Sequence, residues 1–148
     1  MGHKGKGFEI PSKFWLSVAK KELKRATHNL KGKDYPDCVF HSQQAVEKAV
    51  KALLEINGII VRDHYVSRHL DKLTGVEIER LKEIAVWFEM DKKWESARYP
   101  IEKGGKILMP EDVFTEEIAR DALKKARYVV REISKVLKEK YGVECILE

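Results

Sequence analysis

The sequence predicts an all-α protein built as one bundle of long helices. Three observations carry this expectation. Apolar residues recur at steps of three and four over four separate stretches, charged residues make up 36% of the chain, and Gly, Pro and Ser are too few for a disordered or all-β protein. At 148 residues the chain suits a single domain that buries one core without metals or disulfides.

The first helix is expected from about Ser12, a candidate N-cap after Pro11, to Gly32. Leu16, Ala19, Leu23, Ala26 and Leu30 form a narrow apolar stripe, while Lys13, Lys20, Lys21, Lys24, Arg25, His28 and Lys31 spread over the other side. The second helix begins near Asp34 to Pro36, where Pro is tolerated in a first turn, and stops at Gly58. Val39, Ser42, Val46, Ala49, Leu53 and Ile56 keep the rhythm of a buried seam, which Ala45, Val50, Ala52 and Leu54 widen to about 200° of arc. Such a helix belongs at the centre of the bundle. Ser42 lies inside the arc, Gln43 falls between Val50 and Leu54, and Glu47 is at its margin. His41, Gln44, Lys48, Lys51 and Glu55 cluster on the opposite side, where water or a partner is expected. An unpartnered buried Gln costs about 1–3 kcal/mol, so Gln43 should bond a neighbouring helix end or loop backbone. The alternative is a helix–helix or subunit seam that uses amides for specificity.

Residues 59–75 form a connection carrying Arg62, His64, Arg68 and His69, with a helical turn expected at Leu70 to Leu73. The third helix is expected from Val76 to about Trp94, with Ile78, Leu81, Ala85 and Phe88 facing inward. From Glu95 to Phe114 the breakers Pro100, Gly104, Gly105 and Pro110 predict an irregular loop, long enough to suggest function or mobility. The last helix starts at Thr115, has Glu116 and Glu117 in its first turn, and runs to Tyr141 before Gly142. Its inward row is Ala119, Ala122, Ala126, Val129, Ile133 and Val136.

No apolar run approaches the roughly 20 residues that span a bilayer, so no membrane association is expected, and a cytoplasmic location is the default. Cys38 and Cys145 stand far apart without ligand spacing, which argues against a disulfide framework or a zinc ribbon. The net charge of +5 is unevenly placed: residues 1–33 hold nine Lys and Arg against two Glu. Residues 1–11 read as a basic, flexible leader and residues 12–148 as the single helical domain. The basic first fifth is either a solvated helix face or a surface for a polyanion. The Lys- and Glu-rich composition also fits a thermophilic source.

Familiar catalytic signatures are absent: there is no phosphate-binding P-loop, HExxH, GxSxG or EF-hand pattern. Asp63, His64 and His69 lack a second ligand pair at helical spacing, so neither a metal nor a cofactor is expected. The stretch Glu95-Ser96-Ala97-Arg98-Tyr99-Pro100 is more pointed, because it sets a planar cation beside a stacking ring where the backbone leaves regular structure. Arg98 could hold a phosphate bidentately while Tyr99 stacks on a base. Equally, Arg98 could pair with Glu55 or Glu95 while Tyr99 caps the core.

The run from His41 through Ser-Gln-Gln-Ala-Val-Glu-Lys-Ala-Val-Lys-Ala-Leu-Leu resembles the signature helix of the HEPN family, the higher eukaryotes and prokaryotes nucleotide-binding domain. Asp34-Tyr35-Pro36-Asp37 fills the segment that precedes that helix. His69-Leu-Asp-Lys-Leu and Ala97-Arg98-Tyr99-Pro100 resemble two further family elements, and the likeness covers roughly residues 12–140. It implies an up-and-down bundle of four to five helices, commonly a homodimer, often encoded beside a minimal nucleotidyltransferase as a two-component, toxin–antitoxin-like pair. Catalytic members are metal-independent ribonucleases with an R-x(4–6)-H motif near the start of the last long helix. Here Arg98 occupies that neighbourhood, but no His follows it before the C-terminus. Arg62 and His69 match the spacing yet precede the third helix.

Cleavage through the 2′-hydroxyl needs a group titrating near neutrality together with a cation to steady the phosphorane. Arg98 supplies only the cation. The leading expectation is therefore a noncatalytic nucleotide- or RNA-binding module, paired with a nucleotidyltransferase, whose site holds Arg98, Tyr99, His41, Gln44 and Lys48. An alternative is a ribonuclease in which His69, His64 or His41 is brought to Arg98. A third reading is a purely structural dimerisation module in which Gln43 and Glu47 specify pairing.

Overall fold

In the computed structural model, which describes residues 10–75 and 77–144, four long helices form the bundle. They are α1 (Ser12–Lys31), α2 (Tyr35–Ile56), α3 (Ile78–Glu89) and α6 (Glu116–Tyr141), joined by shorter elements: a 3-10 helix (Ser67–Lys72), α4 (Lys93–Ser96), a hairpin of β1 (Ile101–Lys103) and β2 (Lys106–Leu108), and α5 (Pro110–Val113). The expected leader falls almost wholly on residues 1–9, which lie outside the described residues, as does Cys145.

A three-residue link turns α1 back against α2. Side-chain pairs at both ends of the next interface fix its direction: Tyr35 meets Glu116 at 3.2 Å, and Tyr141 meets Asn57 at 3.1 Å, so α2 and α6 run parallel. Shorter α3 lies antiparallel to α6, with Tyr128 donating to Glu77 at one end and Lys125 4.7 Å from the Trp87 ring at the other. Chain direction thus alternates through α1, α2, α3 and α6. The predicted central role of α2 holds, since most of its residues from Cys38 to Leu54 are buried. Ala119, Ala122 and Ala126 let α6 approach closely enough for the Cys38 thiol to reach the Ala119 carbonyl at 3.7 Å.

Four local expectations are corrected. Pro11, not Ser12, caps α1: Ser12 opens the helix, and its hydroxyl lies 2.7 Å from both the Ala52 carbonyl and Glu55, between which its one proton is shared. The helical turn expected at Leu70 to Leu73 starts earlier and is the 3-10 helix. The third helix stops at Glu89, because Asp91 and Lys92 adopt positive φ and break it before α4. Lys93 then turns back to donate to the carbonyls of Trp87 at 2.8 Å and Met90 at 3.0 Å, which pins the break. Finally, the stretch expected to be irregular holds the hairpin, whose Gly104-Gly105 pair (φ 60° and 80°) supplies the two positive-φ positions of a tight two-residue turn.

Candidate functional site

The polar residues of α2 do not all face water. Glu47 is only 2% exposed and stands at the centre of a charged cluster. One carboxylate oxygen accepts from Gln43 Nε2 at 2.8 Å and lies 2.8 Å from His64 Nδ1; the other meets Lys48 and Lys51, each at 3.1 Å. Burial alone would push this carboxyl up, but the neighbouring Lys48 charge, the bonds from His64 and Gln43, and Lys51 outweigh it and hold the pKa down at about 2. Gln43 therefore satisfies itself one turn along its own helix, not at a neighbouring helix end or loop backbone as expected. Glu47 offers it a buried acceptor at the i+4 position. Lys51 was expected on the open side, yet it is 8% exposed, because Trp15 of α1 covers it with its ring 5.4 Å from Nζ and Glu47 neutralises it.

His64 reaches this cluster from the loop after α2. Its ring stacks on Trp94 of α4, centroids 4.6 Å apart and planes 19° off parallel, while Tyr65 meets the same indole edge-on at 5.2 Å. A half-exposed imidazole is thus fixed at one nitrogen by a buried carboxylate.

Arg98 follows one helical turn after Trp94, and its guanidinium rests 4.5 Å above the Phe40 ring and 5.8 Å from its neighbour Tyr99. Among the described residues it forms no salt bridge. Glu55, one partner considered for it, accepts from Ser12 instead. Tyr99 is 56% exposed and does not cap the core. The Phe40 ring also meets the His41 ring, at 5.0 Å and nearly perpendicular, so one aromatic side chain carries both Arg98 and an imidazole. His41 Nδ1 lies 2.6 Å from Glu22 of α1, which also meets Arg25 at 3.3 Å. Partial burial raises the Glu22 carboxyl, but the His41 bond and charge, then Arg25 and Lys48, bring it below its ordinary value.

Arg98 and His41 therefore share the Phe40 ring, and Tyr99 adjoins them through Arg98. Gln44 donates to Gln43 at 2.6 Å and Lys48 is engaged by Glu47, so both belong to the buried cluster, and no hydrogen bond or ion pair joins either to Arg98 or Tyr99 among the described residues. His69 takes no part: its ring nitrogens face Arg68 and Lys72, both at 3.4 Å, and slight burial with those two charges lowers its pKa. No contact links it to Arg98 among the described residues. Asp63 is held by Arg68 at 2.9 Å.

Sequence reasoning missed Glu22, Phe40 and Trp94. Only the i, i+4 spacing of Gln43, Glu47 and Lys51 signalled the cluster in advance.

The model of the family described as the HEPN domain matches residues 12–137. A protein of Methanocaldococcus jannaschii named "Putative toxin MJ1304" is 39% identical, with 95% of this chain and 97% of that one covered. Among solved structures, TT1696 from Thermus thermophilus is similar with a TM-score of 0.70 and 28% identity, covering 84% of this chain and 96% of that one. ST0689, described as an archaeal HEPN homologue, has a TM-score of 0.67 and 29% identity, covering 88% and 100%. A HEPN domain protein from Thermotoga maritima shares the fold at a TM-score of 0.63 and 22% identity, covering 85% and 98%.

Proposed function

This chain belongs to the HEPN family, and from that premise we propose that it is a nucleotide- or RNA-binding module of a toxin–antitoxin-like pair, the partner of a minimal nucleotidyltransferase, and not itself catalytic. The observation that carries the reading is the state of Arg98: a guanidinium with no carboxylate at ion-pair distance among the described residues, backed by Phe40, flanked by the exposed Tyr99 ring and close enough to Asp37 only to favour that residue's charge. Such a pair suits a phosphate and an adjoining base. The toxin name of the 39% identical archaeal protein supports the two-component role. The proposal extends to a homodimer in the cytoplasm, with residues 1–11 as a basic leader ahead of one domain over residues 12–148.

Titration of the purified protein with a labelled short RNA at low salt tests it. Arg98→Ala should lower affinity at least about tenfold, the loss of a charge-assisted bond worth about 1.5–3 kcal/mol, and Tyr99→Ala by a base-stacking step of about 1–3 kcal/mol. Absence of binding, or binding indifferent to Arg98, ends this reading. If a minimal nucleotidyltransferase is encoded beside the gene, as this reading requires, its co-expression should give a complex that survives size-exclusion chromatography.

One observation favours a second reading, a metal-independent ribonuclease. His41, held by Glu22, shares the Phe40 ring with Arg98 and so sets a proton-moving group near a phosphate grip. If the protein cuts RNA in the presence of a chelator and His41→Ala stops it while RNA binding persists, this reading replaces the noncatalytic one.

A further inference from the structure

The α1–α6 face carries a second cationic feature that the Arg98 site does not use. A groove of about 680 Å³ lies between the two helices, floored by Leu23 and Val130. Its walls present Lys20, Lys24, Arg127, Arg131, Lys135 and Lys138 against one carboxylate, Glu139. Along α6 these cations follow at steps of four, four and three residues, each about 4.5–6 Å further along the axis. Lys20 and Lys24 repeat the step on α1. Of the six, only Arg131 meets a carboxylate among the described residues, Glu132 at 3.6 Å, while Arg127 reaches across to Thr27 at 3.4 Å.

A second groove, of about 480 Å³, lies along another edge of α1 and is lined by Lys21, Lys24, Arg25, His28, Asn29 and His41. Lys24 borders both grooves, so the basic surface continues across α1 from α6 toward His41, where Glu22 pairs with both Arg25 and His41. Beyond His41 lies the Phe40 ring, and on that ring rests Arg98.

We propose that this surface binds the backbone of single-stranded RNA, running from Lys138 through Lys24 to His41 and handing the strand to Arg98 and Tyr99. The proposal rests on the RNA-binding reading above and extends it from one phosphate grip to a path several nucleotides long. A regular series of cations along two helix axes matches a repeating anion better than the irregular carboxylates of an acidic protein. Its apolar floor accepts ribose or base faces. The path bends over α1, a cylinder about 10 Å across, which a duplex as stiff as DNA, with its persistence length of about 150 base pairs, cannot follow.

Fluorescence anisotropy with labelled polyuridine of about 5 and about 20 nucleotides provides the test. The full chain should bind the long strand more tightly, with a salt dependence that loses about 0.7 in log–log slope for each contacting cation removed. Lys24→Gln with Arg131→Gln should weaken the long strand at least about tenfold, as expected when two charge-assisted contacts are lost, and leave the short one unchanged. Both side chains are on the surface, and melting curves of the double variant and of each single variant provide folding controls. Equal affinity and slope in wild type and variant overturn the proposal while leaving the Arg98 reading intact. Dependence on Lys24 and Arg131 without dependence on Arg98 supports the track and removes the Arg98 site instead. Polyglutamate competing as well as the long RNA, with the same sensitivity to these variants, overturns the RNA assignment in favour of an acidic protein.

Discussion

Glu47 and His64 meet at 2.8 Å although one is buried in the central helix and the other projects from an exposed loop. The contact ties the loop after α2 to the core, and the same carboxylate neutralises Lys48 and Lys51. Glu47→Ala should therefore cost about 3–5 kcal/mol, because it leaves a buried ammonium without its counter-ion. Urea unfolding followed by circular dichroism measures this, and a loss under about 1 kcal/mol would show that the cluster relaxes freely.

The same carboxylate sets an acid limit. Its folded pKa of about 2 lies below the ordinary value of 4.5, so the unfolded chain takes up the proton first and acid favours unfolding. The contribution is fully present above about pH 4.5 and is lost as pH falls toward about 2, on the order of 3 kcal/mol in all. Glu89, which burial pushes above its ordinary range, works in the opposite sense over a higher window. Unfolding free energy measured between neutral pH and strong acid should fall steeply in wild type and more shallowly in Glu47→Gln.

Cys38 should be inert in the folded protein. Burial pushes its thiol up to about 11, so little thiolate exists near neutrality and solvent does not reach it. In a Cys145→Ser background, iodoacetamide at mildly alkaline pH should leave the native chain unmodified and add one label in denaturant. Rapid native labelling would mean that the α2–α6 seam opens.

Small residues set that seam. Ala122→Leu should cost about 1–3 kcal/mol or more, because added methylenes meet a filled interface, and the denaturant midpoint should drop accordingly.

The ends of α6 are smaller levers. Thr115 accepts from the Ile118 amide at 3.3 Å, and Gly142 terminates the helix at φ 68°. Thr115→Ala and Gly142→Ala should each lower stability by about 1 kcal/mol, additively in the double variant.

The long helices were legible because their information is periodic. Leu16, Ala19 and Ala26 announce one buried face, and Ala119 to Ile133 another, whatever the rest of the chain does. Thr115 and Gly142 were legible because caps are local chemistry. What escaped was of two kinds. The break at Asp91-Lys92 carries no Gly or Pro, so nothing local marks it, and Gly104-Gly105 reads as part of an irregular loop when it is the turn of a hairpin. The site was half visible: Arg98 and Tyr99 could be named because they adjoin in sequence, whereas Phe40 meets Arg98, Glu22 meets His41 and Trp94 meets His64 only through packing between separate elements. Lys51 was misplaced for the same reason, since helical projection places a residue relative to its own axis and is blind to Trp15 across the interface.

The pinned break after α3 has one more implication. Lys93 holds its charge against two backbone carbonyls and the Trp87 ring, 4.2 Å away, with no carboxylate at ion-pair distance among the described residues. It acts as a rivet at the corner, and together with the stacking of His64 on Trp94 it sets how α4 leaves α3. Removing that ammonium would free the Trp87 and Met90 carbonyls it now caps, and the placement of Arg98 over Phe40, five residues further on, would lose one of its supports.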